Sequence, residues 1–487
     1  MAEGKVFKVL IGFAIPVIII GIVLVIVGYR NGSEQKTQLT STIVDAGGSG
    51  TRLIVYQYTD TLEEHKVECE GIGLGNWKEE DYPELERQLN ECYKKGHQYL
   101  PDGSTNTPIW FGATAGMRLL KLRDPTRYDK IWTLVKKTLN ATDYDNKWSD
   151  VFPGEYEARF SWITSNILSK AFVNKKTVGM VETGSSSIQI AFAVNESADA
   201  NKHIDAIKIK GHTVNLYEYS YLCYGEAEGL RRVHAELIKA AGFSNEASDP
   251  CSNIGYNWTR SSDFLWSVPC VKGDFATTVF GSSIEDPQGN ANKTYTLSGS
   301  SEPEKCMELI KKMIPTECTS NTPCGMDDVS QPKVHGKYLA LASFYYSTDY
   351  MGLPYNGKKE EYWNKTVELC KTPYSEIPSK YEDEPEKFMN KQCFDSIFSY
   401  FLLSEGYKFD EDNWDVEYVH KINGKSVEWT LGAAFSFMDE AFKTEIDVVQ
   451  PQYRAMLIVG IVLLVLAAVF IVVGIVGLTK SRQYESI

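Results

Sequence analysis

A chain of 487 residues, 43% of them apolar and with a mean hydropathy of −0.27, is long enough for two or three domains of ordinary globular composition. Its net charge of −14 excludes a nucleic-acid surface built on bulk charge, because a phosphate backbone is met by an excess of Lys and Arg. An acidic ligand stays compatible with that charge where a metal ion and backbone N–H groups neutralise it locally.

In chain order, Val9 to Gly28 carries no charged residue and predicts a membrane-spanning helix. A cleaved signal peptide is the competing reading. The run is too long for a typical signal core and lacks a small-x-small exit, which favours an uncleaved anchor. Lys5 and Lys8 precede it, and residues 1–8 read as a cytoplasmic N-terminus, with Arg30 weakening the charge bias. A polar stalk, Asn31 to Gln38, leads to a strand ending in a carboxylate, a Gly/Ser turn and a second apolar strand: Thr42-Ile43-Val44-Asp45-Ala46-Gly47-Gly48-Ser49-Gly50-Thr51-Arg52-Leu53. Residues 84–99 and 126–139 space their apolar side chains as helices do, and flank a strand at Ile109-Trp110-Phe111 with a tight turn after it. Residues 157–171 predict a helix.

The hairpin phrase then returns as Val178-Gly179-Met180-Val181-Glu182-Thr183-Gly184-Ser185-Ser186-Ser187-Ile188-Gln189-Ile190. A P-loop or dinucleotide fold would need a helix after the glycines; here a strand follows. Such turns aim N–H groups at an anion, and the neighbouring carboxylate suits a hydrated divalent cation. Two of them predict two similar lobes gripping one phosphate chain. Residues 214–242 predict a long helix, 243–336 turns and disulfides rather than periodic helices, and 384–404 another helix. Trp429 to Phe435 is the last folded piece. An acidic helix then leads to Ala455–Leu478, a second uncharged run that predicts a second span, with Lys480 and Arg482 in a cytoplasmic tail, 479–487.

Everything between the runs is thereby expected outside the cytosol. All ten cysteines lie there, an even number that suits disulfides, and no C-x-x-C pair points to zinc. Glycosylation sequons stand at Asn140, Asn195, Asn257, Asn292 and Asn364, with a sixth at Asn31 too near the membrane for use. Strands alternating with helices imply an α/β fold in layered lobes.

At these residues the chain resembles the ecto-nucleoside triphosphate diphosphohydrolases, or apyrases. Asp45 to Thr51 is similar to their first phosphate loop, and Gly112-Ala113-Thr114-Ala115-Gly116-Met117-Arg118 to their second segment. Pro153 to Thr164 is similar to the third, Gly184 to Gln189 to the fourth, and Trp429-Thr430-Leu431-Gly432 to the fifth. The resemblance covers essentially the whole segment between the apolar runs, and it implies two RNase H-like lobes of the actin, Hsp70 and sugar-kinase superfamily. Lobe I is expected over 38–168 and 424–447, lobe II over 169–423, with the terminal helices 9–28 and 455–478 as in the cell-surface branch. That branch's pairing implies disulfides Cys69–Cys92, Cys223–Cys270, Cys251–Cys306, Cys318–Cys324 and Cys370–Cys393.

The resemblance also assigns roles. Hydrolysis of a terminal phosphoanhydride needs a positioned water, a base and neutralisation of the transferred phosphoryl. Glu157 stands where the family has its catalytic glutamate, with Glu155 as the alternative if the local register is shifted; a carboxylate there would otherwise only favour a helix N-terminus. Ser187 and Gln189 would orient the water. Gly47, Gly48, Ser49, Thr114, Ala115, Gly116, Gly184, Ser185 and Ser186 would cradle phosphate oxygens. Asp45 and Glu182 would hold Ca2+ or Mg2+, largely through water. The nucleobase would stack between Tyr345 or Tyr346 and Phe388, five positions before Cys393, an arrangement that reads no base edge. Buried core aromatics are the plainer account of those rings.

Three departures matter. Gly50 replaces a histidine of many cell-surface members, Glu182 replaces an aspartate, and Ala158, Arg159 and Ser185 replace small residues or glycine. Arg159 would either add charge near the phosphates or face solvent. The expected function is a plasma-membrane ectoenzyme hydrolysing nucleoside tri- and diphosphates (ATP, ADP, UTP, UDP) to monophosphate, with helix–helix contacts permitting a homo-oligomer. The altered segments motivate a second reading, a catalytically impaired nucleotide-binding surface protein. A sugar kinase of the same superfamily is disfavoured by the disulfides and the topology.

Overall fold

The computed structural model describes residues 2–34, 39–58, 62–101, 104–174, 176–197, 201–209, 212–285, 293–319, 322–380 and 389–484. They divide into two compact units. One gathers the terminal helices; the other holds Thr40–Tyr56 and Glu63–Ser436. The sequon at Asn292 and the stacking candidate Phe388 lie outside the described residues.

In the larger unit the strands β1 (Leu39–Ala46), β2 (Thr51–Tyr58), β3 (Leu62–Glu70), β4 (Pro108–Ala113) and β5 (Asp145–Val151) form a sheet ordered β3-β2-β1-β4-β5, with β4 parallel to β1 and β5. A second sheet uses β6 (Gly179–Thr183), β7 (Ser187–Ala193), β8 (Ile204–Ile209) and β9 (His212–Leu222). Three short strands, β10 (Glu246–Asp249), β11 (Asn257–Ser261) and β12 (Thr294–Gly299), form a small sheet of their own, and β13 (Tyr338–Ala342) and β14 (Val416–Tyr418) complete the second, ordered β14-β13-β6-β7-β9-β8. Its plan repeats the first. A hairpin comes first (β1-β2, then β6-β7), a third strand lies beside the hairpin's second (β3, then β9), and two parallel strands lie on the other side (β4 and β5, then β13 and β14). Strand β8 is the addition. The repeat of fifteen residues is therefore the visible part of a repeat of topology.

Each sheet has its own apolar core. Val44, Val55 and Phe111 pack with Leu85 and Leu89 of the helix Tyr82–His97 and Ile131 and Val135 of the helix Pro125–Asn140. That last helix starts where its sequence says: Asp124 caps it by accepting from Arg127 N at 3.0 Å, and Pro125 fills a first-turn position that needs no donor. In the second core Val181, Ile190 and Phe192 meet Val233, Ile397 and Phe398. The five disulfides join the pairs that the resemblance implies, Cys69–Cys92, Cys223–Cys270, Cys251–Cys306, Cys318–Cys324 and Cys370–Cys393, and the described residues include no free cysteine.

Two expectations about elements are corrected. Residues 214–242 are not one helix: β9 runs to Leu222 and the helix is Glu226–Ala240. Tyr217, Tyr219 and Tyr221 alternate along one face of a strand, and aromatics suit a pleated, half-buried surface. Residues 243–336 hold helices as well as turns, Ser262–Trp266, Asp274–Phe280 and the longer Pro303–Met313, whose buried Cys306, Ile310 and Met313 keep helical spacing. Near 384–404 the helix is Gln392–Phe401, continued by a π-turn over Leu402–Gly406.

In the smaller unit the helix Ala455–Lys480 is long and apolar enough to cross a membrane, and only 11% of its apolar window is buried. The described apolar part of the N-terminal helix, Gly12–Val27, is shorter than a usual span. The two touch where Gly21 meets Gly460: a Cβ on Gly21 would stand 3.1 Å from the Gly460 carbonyl and 3.0 Å from Leu464 Cγ.

Candidate active site

The two turns are geometric copies. Gly47 N donates to Gly50 O at 2.9 Å, and Gly184 N to Ser187 O at 3.0 Å; a Cβ on Gly47 or Gly184 would lie 3.4 Å from those same oxygens. The turns also face each other. A Cβ on Gly48 would stand 2.8 Å from Ser185 Oγ and 3.2 Å from Ser186 Oγ, and one on Gly116 would stand 2.9 Å from Gly48 Cα. Thr114 is tied to the first turn through its N–H, which donates to Ala46 O at 3.1 Å. Five of the nine expected phosphate residues, Gly48, Ser49, Gly116, Ser185 and Ser186, line one cavity of about 250 Å³. Gly47, Thr114, Ala115 and Gly184 do not line it.

The third segment forms the helix Gly154–Leu168, which packs on β6, β7 and β9. Glu157 and Ser161, one turn apart, share the face turned to those strands. Glu157 accepts from Arg118 Nη2, and that same Nη2 lies 3.4 Å from Ser187 Oγ. Ser187 Oγ also accepts from Gln189 Nε2 at 2.8 Å, and Gln189 reaches Ser220 Oγ at 3.2 Å. The β ladder sets this row, pairing Glu182 with Gln189 and Gln189 with Ser220 across three strands. Gly154 is required beneath it, because a Cβ there would run into Arg118 and Ser220. The structure thus brings Glu157, Ser187 and Gln189 together. Glu155, the alternative base, is half-buried on the same helical turn.

The charges are poised by burial. Burial raises Glu157 to about 7 against the opposing charge of Arg118, with Asp45 and Glu155 adding to the rise. Burial raises Glu182 to about 8 despite a 2.6 Å hydrogen bond from Ser161 Oγ, and the charges of Glu157, Glu428 and Asp45 push the same way. Asp45 is raised by burial too, although Arg52 Nη2 donates to it at 2.6 Å. Negative charge at the strand ends exceeds what Arg52 and Arg118 offset, a setting that favours a cation. Among the described residues no three His, Cys, Asp or Glu side chains converge as a ligand set. Asp45 and Glu182 therefore fit an ion held mostly by water and phosphate oxygens rather than a protein cage.

Two further placements bear on the sequence reading. Arg159 neither faces the phosphate turns nor projects into solvent. It donates to Glu218 through Nε at 2.9 Å and through Nη2, reaches Asp205 as well, and lies over the Tyr156 ring at 5.0 Å. Tyr345 and Tyr346 both pack on His420, at ring-centroid distances of 5.6 and 5.5 Å, and Tyr346 is exposed, so this pair is not a core cluster. Sequence reading assigned no role to Arg52, Arg118, Ser161 or Ser220. Ser161 had a signal, its one-turn spacing from Glu157. The others become visible only once the strands are in register.

The sequence profile of the GDA1/CD39 (nucleoside phosphatase) family matches residues 33–450. The chain is 26% identical over 426 residues to ectonucleoside triphosphate diphosphohydrolase 3 of Mus musculus, covering 82% of this chain and 78% of that one. It is 27% identical over 454 residues to ectonucleoside triphosphate diphosphohydrolase 8 of Gallus gallus, covering 88% and 89%. Among solved structures, a nucleoside triphosphate hydrolase from Neospora caninum superposes with a TM-score of 0.60 at 14% identity, over 87% of this chain and 95% of that chain, a likeness of fold.

Proposed function

Because the chain belongs to the GDA1/CD39 (nucleoside phosphatase) family, we propose that it is a membrane-anchored ectoenzyme that removes terminal phosphates from nucleoside tri- and diphosphates, ATP, ADP, UTP and UDP among them. Nucleoside triphosphate diphosphohydrolase activity follows from the family and its similarly named relatives; the residue roles and the setting are our reading. The observation that carries it is the row Glu157, Ser187 and Gln189 beside two matched anion turns.

Glu157 is the base. Near neutral pH a substantial fraction of it is ionised, so its carboxylate can take a proton from water as that water attacks the terminal phosphorus. Ser187 Oγ receives hydrogen bonds from Gln189 and Arg118, which leaves its own proton to orient the water or a phosphate oxygen. The backbone N–H groups of Gly48, Ser49, Ser185, Ser186 and Gly116, not those of Gly47, Gly184 and Thr114 that close the turns, hold the phosphoryl oxygens, with the Thr114 hydroxyl beside them. Asp45 and Glu182 would hold Ca2+ or Mg2+ through its water shell. When bound, that ion neutralises phosphate charge and orients the chain for in-line attack. Tyr345 and Tyr346 offer an exposed aromatic surface for a nucleobase, with Phe388 proposed as its partner.

Lobe I is assigned to 38–168 with 424–447 and lobe II to 169–423, in keeping with the two sheets and two cores. We place spans at 9–28 and 455–478, short cytoplasmic ends at 1–8 and 479–487, and the catalytic unit outside the cell, where disulfides persist and Asn140, Asn195, Asn257, Asn292 and Asn364 can carry glycans. The approach of Gly21 to Gly460 supports helix packing in the bilayer that can extend to a homo-oligomer. The test is phosphate release by the full chain in lipid nanodiscs with Mg2+ or Ca2+, beside Glu157→Gln. Hydrolysis of ATP, ADP, UTP or UDP that falls roughly 10²–10⁴-fold in the variant while nucleotide binding persists is expected. Survival of all four nucleotides with wild-type protein sinks the hydrolase reading, and an unchanged rate in the variant moves the base to Glu155 or elsewhere.

A further inference from the structure

The cavity at the two turns continues past the serines into a part of the molecule that the hydrolytic row does not use. Glu157, Ser187 and Gln189 do not line it; Arg123 and Arg231 do. Arg123 ends the helix Ala115–Arg123, and Arg231 lies on the helix Glu226–Ala240, so one guanidinium comes from each side. Arg127, one turn beyond Arg123, shares a partner with it. Arg123 Nη2 and Arg127 Nη2 both donate to the Gly75 carbonyl, at 3.3 and 3.1 Å.

The charges here do not balance. Arg127 is near Asp124 at 3.9 Å, and Arg231 is near the buried Glu228 at 3.4 Å. Arg123 forms no ion pair among the described residues; its donors go to Gly75 O and, at 3.4 Å, to Ser267 O. Three guanidiniums thus stand against two carboxylates. Desolvation, and then the like charges of Arg127 and Arg231, hold Arg123 below its ordinary pKa. Both pairs are loose: Arg231 Nε and Arg127 Nε, buried as they are, close no hydrogen bond with Glu228 or Asp124, and Glu228 lines the cavity beside Arg231. Buried donors normally close a hydrogen bond, so guanidiniums tied to carboxylates only by long ion pairs keep donor capacity for a better-placed acceptor. The weak bonds of Arg123 to carbonyls, all longer than the usual 2.9–3.0 Å, are easily exchanged for stronger charge-assisted ones.

We propose that Arg123 and Arg231, with the hydroxyls of Ser49, Ser185 and Ser186, form a second phosphate-oxyanion subsite beside the turns that hold the reacting phosphoryl. Guanidinium forks match the oxygens of a phosphate two at a time, and the serines of the same lining supply neutral donors. Its ligand is a phosphate group, either free orthophosphate, which the reaction releases next to it, or a further phosphoryl of a longer phosphate chain. This rests on the proposed hydrolysis only for the source of the phosphate, not for the site.

The experiment separates the two. Full-length Glu157→Gln protein in nanodiscs, which does not turn over, is titrated calorimetrically with orthophosphate and, in a second arm, with tripolyphosphate. The same titrations follow on Glu157→Gln carrying Arg123→Gln and Arg231→Gln. Saturable binding that weakens at least tenfold in the triple variant is expected. A tenfold loss for both ligands assigns the site to any phosphate; a loss confined to tripolyphosphate assigns it to a chain phosphoryl. No saturable binding, or equal affinity with and without the two arginines, overturns the proposal. Retained nucleotide binding by the triple variant shows that it is folded. Should wild-type protein fail to hydrolyse nucleotides while the arginine-dependent binding stands, the functional reading falls and the subsite remains.

Discussion

Arg118 and Glu157 form an ion pair between the helix Ala115–Arg123, which begins inside the second segment, and the helix of the third, and the pair offsets part of the rise that burial imposes on the base. Burial lifts Glu157 to about 7 and Arg118 holds it down. A carboxylate base works ionised, so activity is present above its pKa and lost as pH falls through it. The acidic limb of kcat/KM for wild-type protein should therefore lie near 7. Arg118→Met removes the opposing charge, and that limb should move upward by roughly 1–3 units. A limb that stays in place while kcat falls would mean that Arg118 serves the phosphate and not the base.

Glu182 tests the metal assignment. Its carboxylate accepts from Ser161 Oγ at 2.6 Å and is raised to about 8 by burial, so a bound cation would favour its ionised form. Glu182→Gln keeps the shape and removes the charge. The divalent-ion concentration giving half-maximal activity should rise by roughly tenfold or more, about 1.4 kcal/mol of lost ion binding. Metal titration followed by calorimetry should move with it. Unchanged metal binding would remove Glu182 from the ion's surroundings.

How much of this was legible before the structure depends on distance along the chain. The two turns were readable because each is local: a carboxylate, two glycines or serines, and flanking β-branched residues within about fifteen positions. The repeated sheet order follows from that duplicated phrase only by inference, since the third strands come from stretches with no shared motif. The spacing from Tyr217 to Tyr221 predicts a helix because counting apolar positions cannot separate a strand's alternation from a helix start; pairing with β7 makes it a strand. The role of Arg159 was hidden for a related reason, as its partners Glu218 and Asp205 lie on strands 59 and 46 positions away.

Arg159 is a stability residue in this arrangement. Its side chain is 18% exposed and that of Glu218 only 4%, so removing the cation strands a buried carboxylate. Arg159→Ala should cost about 3–5 kcal/mol. The sign of the pH dependence follows from Glu218, which burial already raises to about 7 against Arg159. Without the arginine its folded pKa rises further above the unfolded value near 4.3, so the folded state holds the proton more tightly and stability falls as pH rises through that window. Thermal denaturation of the variant should show a larger loss at pH 8 than at pH 5. Equal losses at both would mean that the Tyr156 stacking, not the charge pair, is what Arg159 contributes.

The meeting of Gly48 and Ser185 makes the last prediction a test of how closely the two turns must approach. A methyl on Gly48 would stand 2.8 Å from Ser185 Oγ, nearer than a Cβ can rest, and 3.2 Å from Ser186 Oγ. Gly48→Ala should therefore push the turns apart and lower kcat/KM, and a displacement near 1 Å at the reacting phosphate can cost about 10²-fold. The obstruction is the end of a short side chain, not backbone, so it can be removed. Ser185→Gly keeps the backbone N–H of the turn while giving up one hydroxyl donor, and should recover much of the loss when combined with Gly48→Ala. In contact, the two substitutions should show a coupling of roughly 0.5–3 kcal/mol in transition-state stabilisation. Strict additivity in the double-mutant cycle would mean that the turns act independently and that the phosphate is held by one of them alone.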